Sequence, residues 1–209
     1  MKLYACRGCG SAIIEGIFAL LGIDVERREV GIFSEAPDEL RRVNPLAQVP
    51  TLVLPDGTVM TESVAIALWA LEQAGETPYA PSPGDPLRPT FLRWLVYLPA
   101  AIYPMYTVGD VPETWVGDDA APGLKQATVA RTLQCWQIME EALAGYGAHA
   151  LGDDLGVLDV FIAVISRWRP GREQIRRVAP RLMTAADRTE AHPALAALFA
   201  REFPPADPA

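Results

Sequence analysis

The 209-residue chain lacks a long hydrophobic run. Apolar stretches such as residues 160–165 are far shorter than the about 20 apolar residues that a membrane-spanning helix requires. A secretory signal peptide is also missing, because Arg7, Gly8 and Gly10 interrupt the N-terminus and Glu15 lies where an apolar segment is needed. These absences predict a soluble, cytoplasmic protein without a membrane partner.

Positive charge is scarce as well. The formal net charge is -8, and the only lysines are Lys2 and Lys125. Because contacts with phosphate dominate nucleic-acid affinity, this charge balance argues against a nucleic-acid partner. A local patch of arginines is the one feature that favours such a partner: Arg167, Arg169, Arg172, Arg176 and Arg177.

Histidine and cysteine are too few for two common kinds of site. Two histidines, His149 and His192, and three cysteines argue against a zinc site and against a Ser–His–Asp triad. The cysteines do not form a disulfide framework either, but Cys6 and Cys9 make a C-x-x-C unit near the N-terminus. We therefore expect no metal, and this pair becomes a candidate for thiol chemistry.

The first 75 residues alternate between strand and helix patterns. Strands are predicted at residues 2–6 and 25–30, and a hairpin at residues 51–60 turns at Pro55-Asp56-Gly57. Helices are predicted from Ser11, as N-cap, to a stop at Gly22, over residues 37–43, and over residues 62–74 before Gly75. The predicted order is β-α-β-α-β-β-α.

The rest of the chain shows helical patterns only. A Pro- and Gly-rich linker at residues 76–86 separates an α/β domain, residues 1–75, from an all-helical domain, residues 87–209. Polar residues 107–122 predict a loop or mobile cover. Helices are predicted over residues 87–106, 124–143, 157–168, 173–186 and 193–199.

Two short segments of the first domain point to ligand binding. Val49-Pro50 precedes a strand although proline cannot donate to a ladder, and a cis peptide there would leave the Val49 backbone open to an extended peptide. Glu62 and Ser63 begin a helix, where free N–H groups attract a carboxylate and Glu62 can hold an ammonium group. The alternative is that Ser63 or Thr61 only caps this helix.

With Asn44-Pro45, Gly152-Asp153 and Asp159, these segments make the chain resemble a cytosolic glutathione transferase from Lys2 to about residue 200. The resemblance implies a thioredoxin-like N-terminal domain, an all-α C-terminal domain and a homodimer. It also implies glutathione as co-substrate, bound through Gln48, Val49, a cis Pro50, Glu62 and Ser63. Where the family usually has Ser or Thr to open a helix, this chain has Gly156, and Asp159 is interpreted as a structural capping residue.

The resemblance requires a group at the turn after the first strand that stabilises the thiolate of glutathione. The usual serine and cysteine positions fall on Gly8 and Gly10, so the candidates are Cys9, Ser11 and Cys6. Cys9 precedes a helix N-terminus and follows Arg7, which would favour its thiolate, and Cys6 could resolve a mixed disulfide. Cys6 is alternatively an ordinary buried thiol.

The second substrate is expected between the two domains. Tyr103, Tyr106 and Trp115 offer an aromatic wall for a small apolar electrophile, although either tyrosine could instead pack inside the helical domain. The expected function is transfer of glutathione to an apolar electrophile or a disulfide. A non-enzymatic interaction protein that keeps the fold is the alternative, and a glutathione-dependent isomerase or dehalogenase is a third possibility.

Overall fold

A computed structural model of the chain describes residues 1–32 and 35–204. The chain divides into two units, one formed by residues 1–79 with the C-terminal residues from Thr189 onward and one formed by residues 80–188. The sequence-based division placed all of residues 87–209 in one helical domain, whereas here the C-terminal residues group with the α/β unit. None of the helices in the described residues is both long and apolar enough to cross a membrane.

The first unit is built on a four-stranded mixed sheet with strand order β2-β1-β3-β4. β1 is parallel to β2 and antiparallel to β3, and β3 is antiparallel to β4. The predicted order of elements is confirmed: β1 (Lys2–Ala5), α1 (Ser11–Leu21), β2 (Glu26–Glu29), α2 (Asp38–Val43), β3 (Thr51–Val53), β4 (Val59–Met60) and α3 (Ser63–Ala74), followed at the C-terminus by α11 (Ala196–Glu202).

Helix α1 ends as the sequence predicted but begins differently. Gly22 adopts a left-handed φ of 66° and donates its N–H to Phe18, as expected of a glycine C-cap. The N-cap is Gly10, so the prediction that Ser11 caps this helix is wrong. Ser11 is the first helical residue, and its hydroxyl both accepts from and donates to the backbone of Cys6.

Helices are the regular elements of the second unit in its described residues. Its elements are α4 (Arg88–Tyr97), a π-helical turn (Leu98–Ile102), α5 (Tyr103–Asp110), α6 (Glu113–Val116), α7 (Ala121–Ala142), α8 (Val157–Ile165), α9 (Arg172–Arg176) and α10 (Pro180–Ala191), the last of which continues into the residues grouped with the first unit.

Two predictions for this unit are wrong in part. Residues 107–122 are largely helical rather than a loop, because α5 packs on α7; a Cβ on Gly109 would lie only 2.3 Å from Thr128 Oγ1. The single helix predicted over residues 173–186 is divided into α9 and α10. Pro180 begins α10, and the Glu140 carboxylate on α7 accepts the N–H groups of Arg181 and Leu182 at 2.9 and 3.0 Å.

Asp159 caps helix α8, as the sequence predicted. Its carboxylate is 2% exposed and accepts the Gly156 N–H at 2.9 Å and the Ala150 N–H at 2.8 Å. If the carboxylate were removed, the buried Ala150 N–H and the partly buried Gly156 N–H would both lose their acceptor. The residue is therefore a structural anchor that joins the loop before α8 to the first turn of that helix.

We expect Asp159→Ala to lower the free energy of unfolding by about 2–5 kcal/mol, because a buried and a partly buried N–H group lose a charged acceptor. Urea denaturation monitored by circular dichroism measures this change. The matched control is the exposed Asp154, whose replacement by alanine should change stability by less than about 0.5 kcal/mol. Equal effects of the two substitutions would contradict the capping role.

Candidate active site

The register of the sheet brings three loop segments to one edge. Tyr4 lies opposite Thr51 in the β1–β3 pair, and Leu52 lies opposite Met60 in the β3–β4 pair. The end of β1, the start of β3 and the end of β4 therefore share an edge. The turn at residues 6–10, the loop at residues 44–50 and the start of α3 all leave the sheet there.

The loop at residues 44–50 is shaped by the side chain of Asn44, which is 6% exposed. Its amide donates to the Gln48 carbonyl and to Thr51 Oγ1, both at 3.0 Å, and its oxygen accepts the Leu46 N–H at 3.2 Å. The Val49–Pro50 peptide is cis, so that implication of the resemblance is confirmed. Neither the N–H nor the C=O of Val49 forms a hydrogen bond with any described residue, which leaves both to a ligand.

Helix α3 begins with an open N-terminus. Glu62 is exposed and has a φ of 64°, a left-handed conformation that costs a non-glycine residue free energy and that recurs at ligand sites. Ser63, the first helical residue, is 5% exposed. In the described part of the chain, no acceptor binds the N–H groups of Ser63, Val64 and Ala65. The positive end of the helix dipole is thus available for an anion.

The turn between β1 and α1 uses its one hydroxyl internally, whereas two of its backbone donors have no acceptor in the described part of the chain. Ser11 is fully buried, and its Oγ accepts the Cys6 N–H at 3.1 Å and donates to the Cys6 carbonyl at 3.2 Å. The hydroxyl is therefore committed to holding the turn. By contrast, the N–H groups of Gly10 and Ser11 have no acceptor among residues 1–32 and 35–204.

Cys6 and Cys9, the two cysteines of this turn, are partly exposed, and their thiols are free rather than joined in a disulfide. The thiols of Cys6 and Cys9 point to the Arg7 carbonyl, with Sγ–O distances of 3.7 and 3.6 Å. Burial raises the pKa of the Cys9 thiol, and its contact with the Cys6 thiol and the charge of Glu202 raise that pKa further. The expectation that Arg7 and the helix favour a Cys9 thiolate is therefore wrong, because Arg7 turns its guanidinium to the Arg201 carbonyl.

The sequence analysis missed a residue that contacts this turn. Glu202, near the C-terminus, accepts the Gly8 N–H on Oε2 at 2.9 Å, and its side chain is inaccessible to solvent. Its other carboxylate oxygen, Oε1, forms ion pairs with Arg27 and Arg201. Because Gly8 and Glu202 are 194 positions apart, no local pattern in the sequence predicts their contact.

The three residues proposed for the second substrate differ in environment. Tyr106 is 7% exposed, donates to the Ile165 carbonyl at 3.4 Å and meets Trp168 edge-on, which is the packing role that the sequence left as an alternative. Tyr103 is half-buried and also meets the edge of Trp168. Trp115 is 59% exposed. Of the three, Trp115 and Tyr103 keep aromatic surface open.

The raised pKa of Cys9 predicts slow alkylation. At pH 8 the folded protein should hold less Cys9 thiolate than an ordinary cysteine, whose pKa is about 8.5. The pH of half-maximal carboxamidomethylation by iodoacetamide should lie above that value. Peptide mapping by mass spectrometry measures Cys9 separately from Cys6. The protein unfolded in guanidinium is the control, and half-maximal labelling at or below the ordinary pKa in the folded protein would show an activated thiol instead.

Comparison with known proteins agrees with this arrangement. Residues 13–73 match the family described as Glutathione S-transferase, N-terminal domain. The uncharacterised GST-like protein YncG of Escherichia coli (strain K12) is 33% identical over 90% of this chain and 91% of its own length. The probable maleylacetoacetate isomerase of Caenorhabditis elegans is 32% identical over 69% of this chain and 66% of its own length.

A solved structure shows the same fold. The sphingomonad glutathione S-transferase complexed with glutathione superposes with a TM-score of 0.78 at 24% identity, covering 97% of this chain and 98% of that one. The thioredoxin-like unit and the helical unit expected from the sequence are thereby confirmed. With a relative 33% identical over nine-tenths of both chains, this protein belongs to the glutathione S-transferase family.

Proposed function

We propose that the protein is a cytoplasmic, homodimeric glutathione transferase that binds glutathione along the shared sheet edge and transfers its sulfur to an apolar electrophile. The observation that carries the proposal is that an unpaired Val49 backbone and two helix N-termini, whose first N–H groups have no acceptor among the described residues, meet at this edge. Family membership and the glutathione named with the sphingomonad structure support the same ligand.

The α-carboxylate of glutathione suits the start of α3. The free N–H groups from Ser63 to Ala65 and the positive helix end attract this carboxylate, and the Ser63 hydroxyl adds a donor. The exposed carboxylate of Glu62 is available for the neighbouring ammonium group. A zwitterionic amino-acid end thus finds both of its charges matched within two residues.

The middle of the tripeptide suits the loop before β3. An extended peptide can exchange two hydrogen bonds with the Val49 N–H and C=O, as an added strand does at a sheet edge. Gln48 is exposed beside this backbone and offers its amide to the remaining part of the ligand. Pro50 contributes through the path of the chain rather than through a hydrogen bond.

We assign stabilisation of the glutathione thiolate to the backbone at the start of α1. The N–H groups of Gly10 and Ser11 have no acceptor among the described residues, and the dipole of this 11-residue helix favours a negative charge there. The Ser11 hydroxyl is occupied, and the raised pKa of Cys9 keeps its thiol protonated. These environments favour conjugation of glutathione over thiol transfer through Cys9 and Cys6. Trp115 and Tyr103 are the proposed contacts of the electrophile.

A glutathione-dependent isomerase is a second candidate, favoured by the name of the Caenorhabditis elegans relative. An isomerase would use the same bound thiolate but return it unchanged after each turnover. Measurement of free thiol during product formation separates the two: conjugation consumes one glutathione per product, whereas isomerisation consumes none. A non-enzymatic interaction protein, the remaining alternative, need bind no glutathione, and calorimetric titration with reduced glutathione tests that possibility directly.

We expect Ser63→Ala to weaken glutathione binding by about 1–3 kcal/mol, because the bound carboxylate loses one charge-assisted hydrogen bond. Isothermal titration calorimetry with reduced glutathione measures the change. The exposed Ser82, in the second unit, is the matched control, and Ser82→Ala should bind as the wild type does. Unchanged affinity in Ser63→Ala would remove the start of α3 from the proposed site.

A further inference from the structure

We propose that Glu202 is a positioning residue that holds the β1–α1 turn in the conformation required for stabilisation of the glutathione thiolate. The inference rests on the proposed function, since it concerns the same turn. It gives α11, the last described helix, a role in shaping the N-terminal site. The inference is carried by a buried carboxylate whose two oxygens serve different partners.

The Glu202 side chain is inaccessible to solvent, and each of its oxygens is bound. Oε2 accepts the Gly8 N–H at 2.9 Å. Oε1 accepts Arg201 Nε at 2.8 Å and Arg27 Nη2 at 3.3 Å. Because a buried carboxylate is costly without partners, these contacts fix its place, and the Gly8 backbone is fixed with it.

Four side chains close this arrangement into a charge ring: Glu15 on α1, Arg27 on β2, and Arg201 and Glu202 on α11. Each arginine contacts both carboxylates. Arg27 reaches Glu15 at 3.2 Å, and Arg201 pairs with Glu15 on the opposite side. The ring has no net charge, and it ties α11 to both the sheet and α1.

Of the two acidic members of the charge ring, only Glu202 also contacts the β1–α1 turn. Glu15 pairs with the same two arginines but contacts none of residues 6–10. Glu15 is therefore a natural control for the stability that the charge ring supplies.

Backbone contacts next to Gly8 and Glu202 also join the β1–α1 turn to α11. Arg7 Nε donates to the Arg201 carbonyl at 2.9 Å, so two successive turn residues are held by two successive residues of α11. Gly8 has a φ of 70°, and a Cβ there would lie 3.6 Å from the Glu202 carbonyl oxygen. Gly10, whose N–H is proposed to face the thiolate, is two residues further along. A shift of Gly8 thus changes the direction of that donor.

The test compares Glu202→Ala with Glu15→Ala in the full-length chain. In Glu202→Ala, amide hydrogen exchange of Gly8, followed by NMR, should become at least about tenfold faster, because its acceptor is gone. The kcat for conjugation of 1-chloro-2,4-dinitrobenzene should fall by about tenfold or more, since a small misplacement of catalytic groups is costly. The KM for glutathione should change little, because the start of α3 is untouched.

Two further variants sharpen the comparison. Glu202→Gln retains an oxygen that can accept the Gly8 N–H, so it should restore most of the kcat and of the exchange protection. Glu202→Asp keeps the charge but is one methylene shorter, so it should lose both; it also serves if Glu202→Ala does not fold. Glu15→Ala should keep wild-type kcat and Gly8 exchange even where its melting temperature falls.

Several results would overturn the inference. Unchanged Gly8 exchange in both Glu202→Ala and Glu202→Asp would remove the contact with the turn. Faster exchange with unchanged kcat would remove its role in positioning. Equal losses of kcat in Glu202→Ala and Glu15→Ala would reduce Glu202 to a stabilising residue. An inactive wild-type protein would instead count against the proposed function, while Gly8 exchange still decides whether Glu202 holds the turn.

Discussion

The antiparallel register of β1 with β3 decides where the candidate site lies. It sets Tyr4 opposite Thr51, and a slip of one residue would turn the buried side chains of Leu3, Tyr4 and Ala5 to the opposite faces of the sheet. Tyr4 packs into a core cluster with Leu40 and Ala47, while the Thr51 hydroxyl donates to the Gln48 carbonyl at 2.9 Å. Core packing and the shape of the loop before β3 are therefore fixed by the same pair of residues.

The charge ring adds a constraint that the sheet alone does not supply. Strands and α1 bring the β1–α1 turn to the correct edge, but a turn that contains Gly8 and Gly10 has few side-chain contacts of its own to hold it. The Ser11 hydroxyl ties the turn to Cys6 from inside, and Glu202 ties Gly8 from α11. The C-terminal residues thereby complete the first unit.

Local patterns predicted the fold well and the site in part. Strand alternation, helical spacing and glycine stops placed the elements of the first unit, and the Val49-Pro50 and Glu62-Ser63 segments located two parts of the sheet edge. Those signals lie within a few residues of what they predict. Three of the failures have distant causes: Glu140 caps α10 from α7, α7 packs against α5, and Glu202 approaches Gly8 from the other end of the chain.

The proposed use of backbone donors explains why these distant contacts matter for chemistry. A side-chain hydroxyl can rotate to meet a thiolate, but an N–H group can only be aimed by its peptide plane. If the Gly10 and Ser11 N–H groups stabilise the thiolate, the contacts that hold the turn control the reaction. A carboxylate so near would oppose that charge, and Arg27 and Arg201 offset it. The charge ring thus lets an acidic side chain hold the turn while limiting its repulsion of the anion that the turn is proposed to bind.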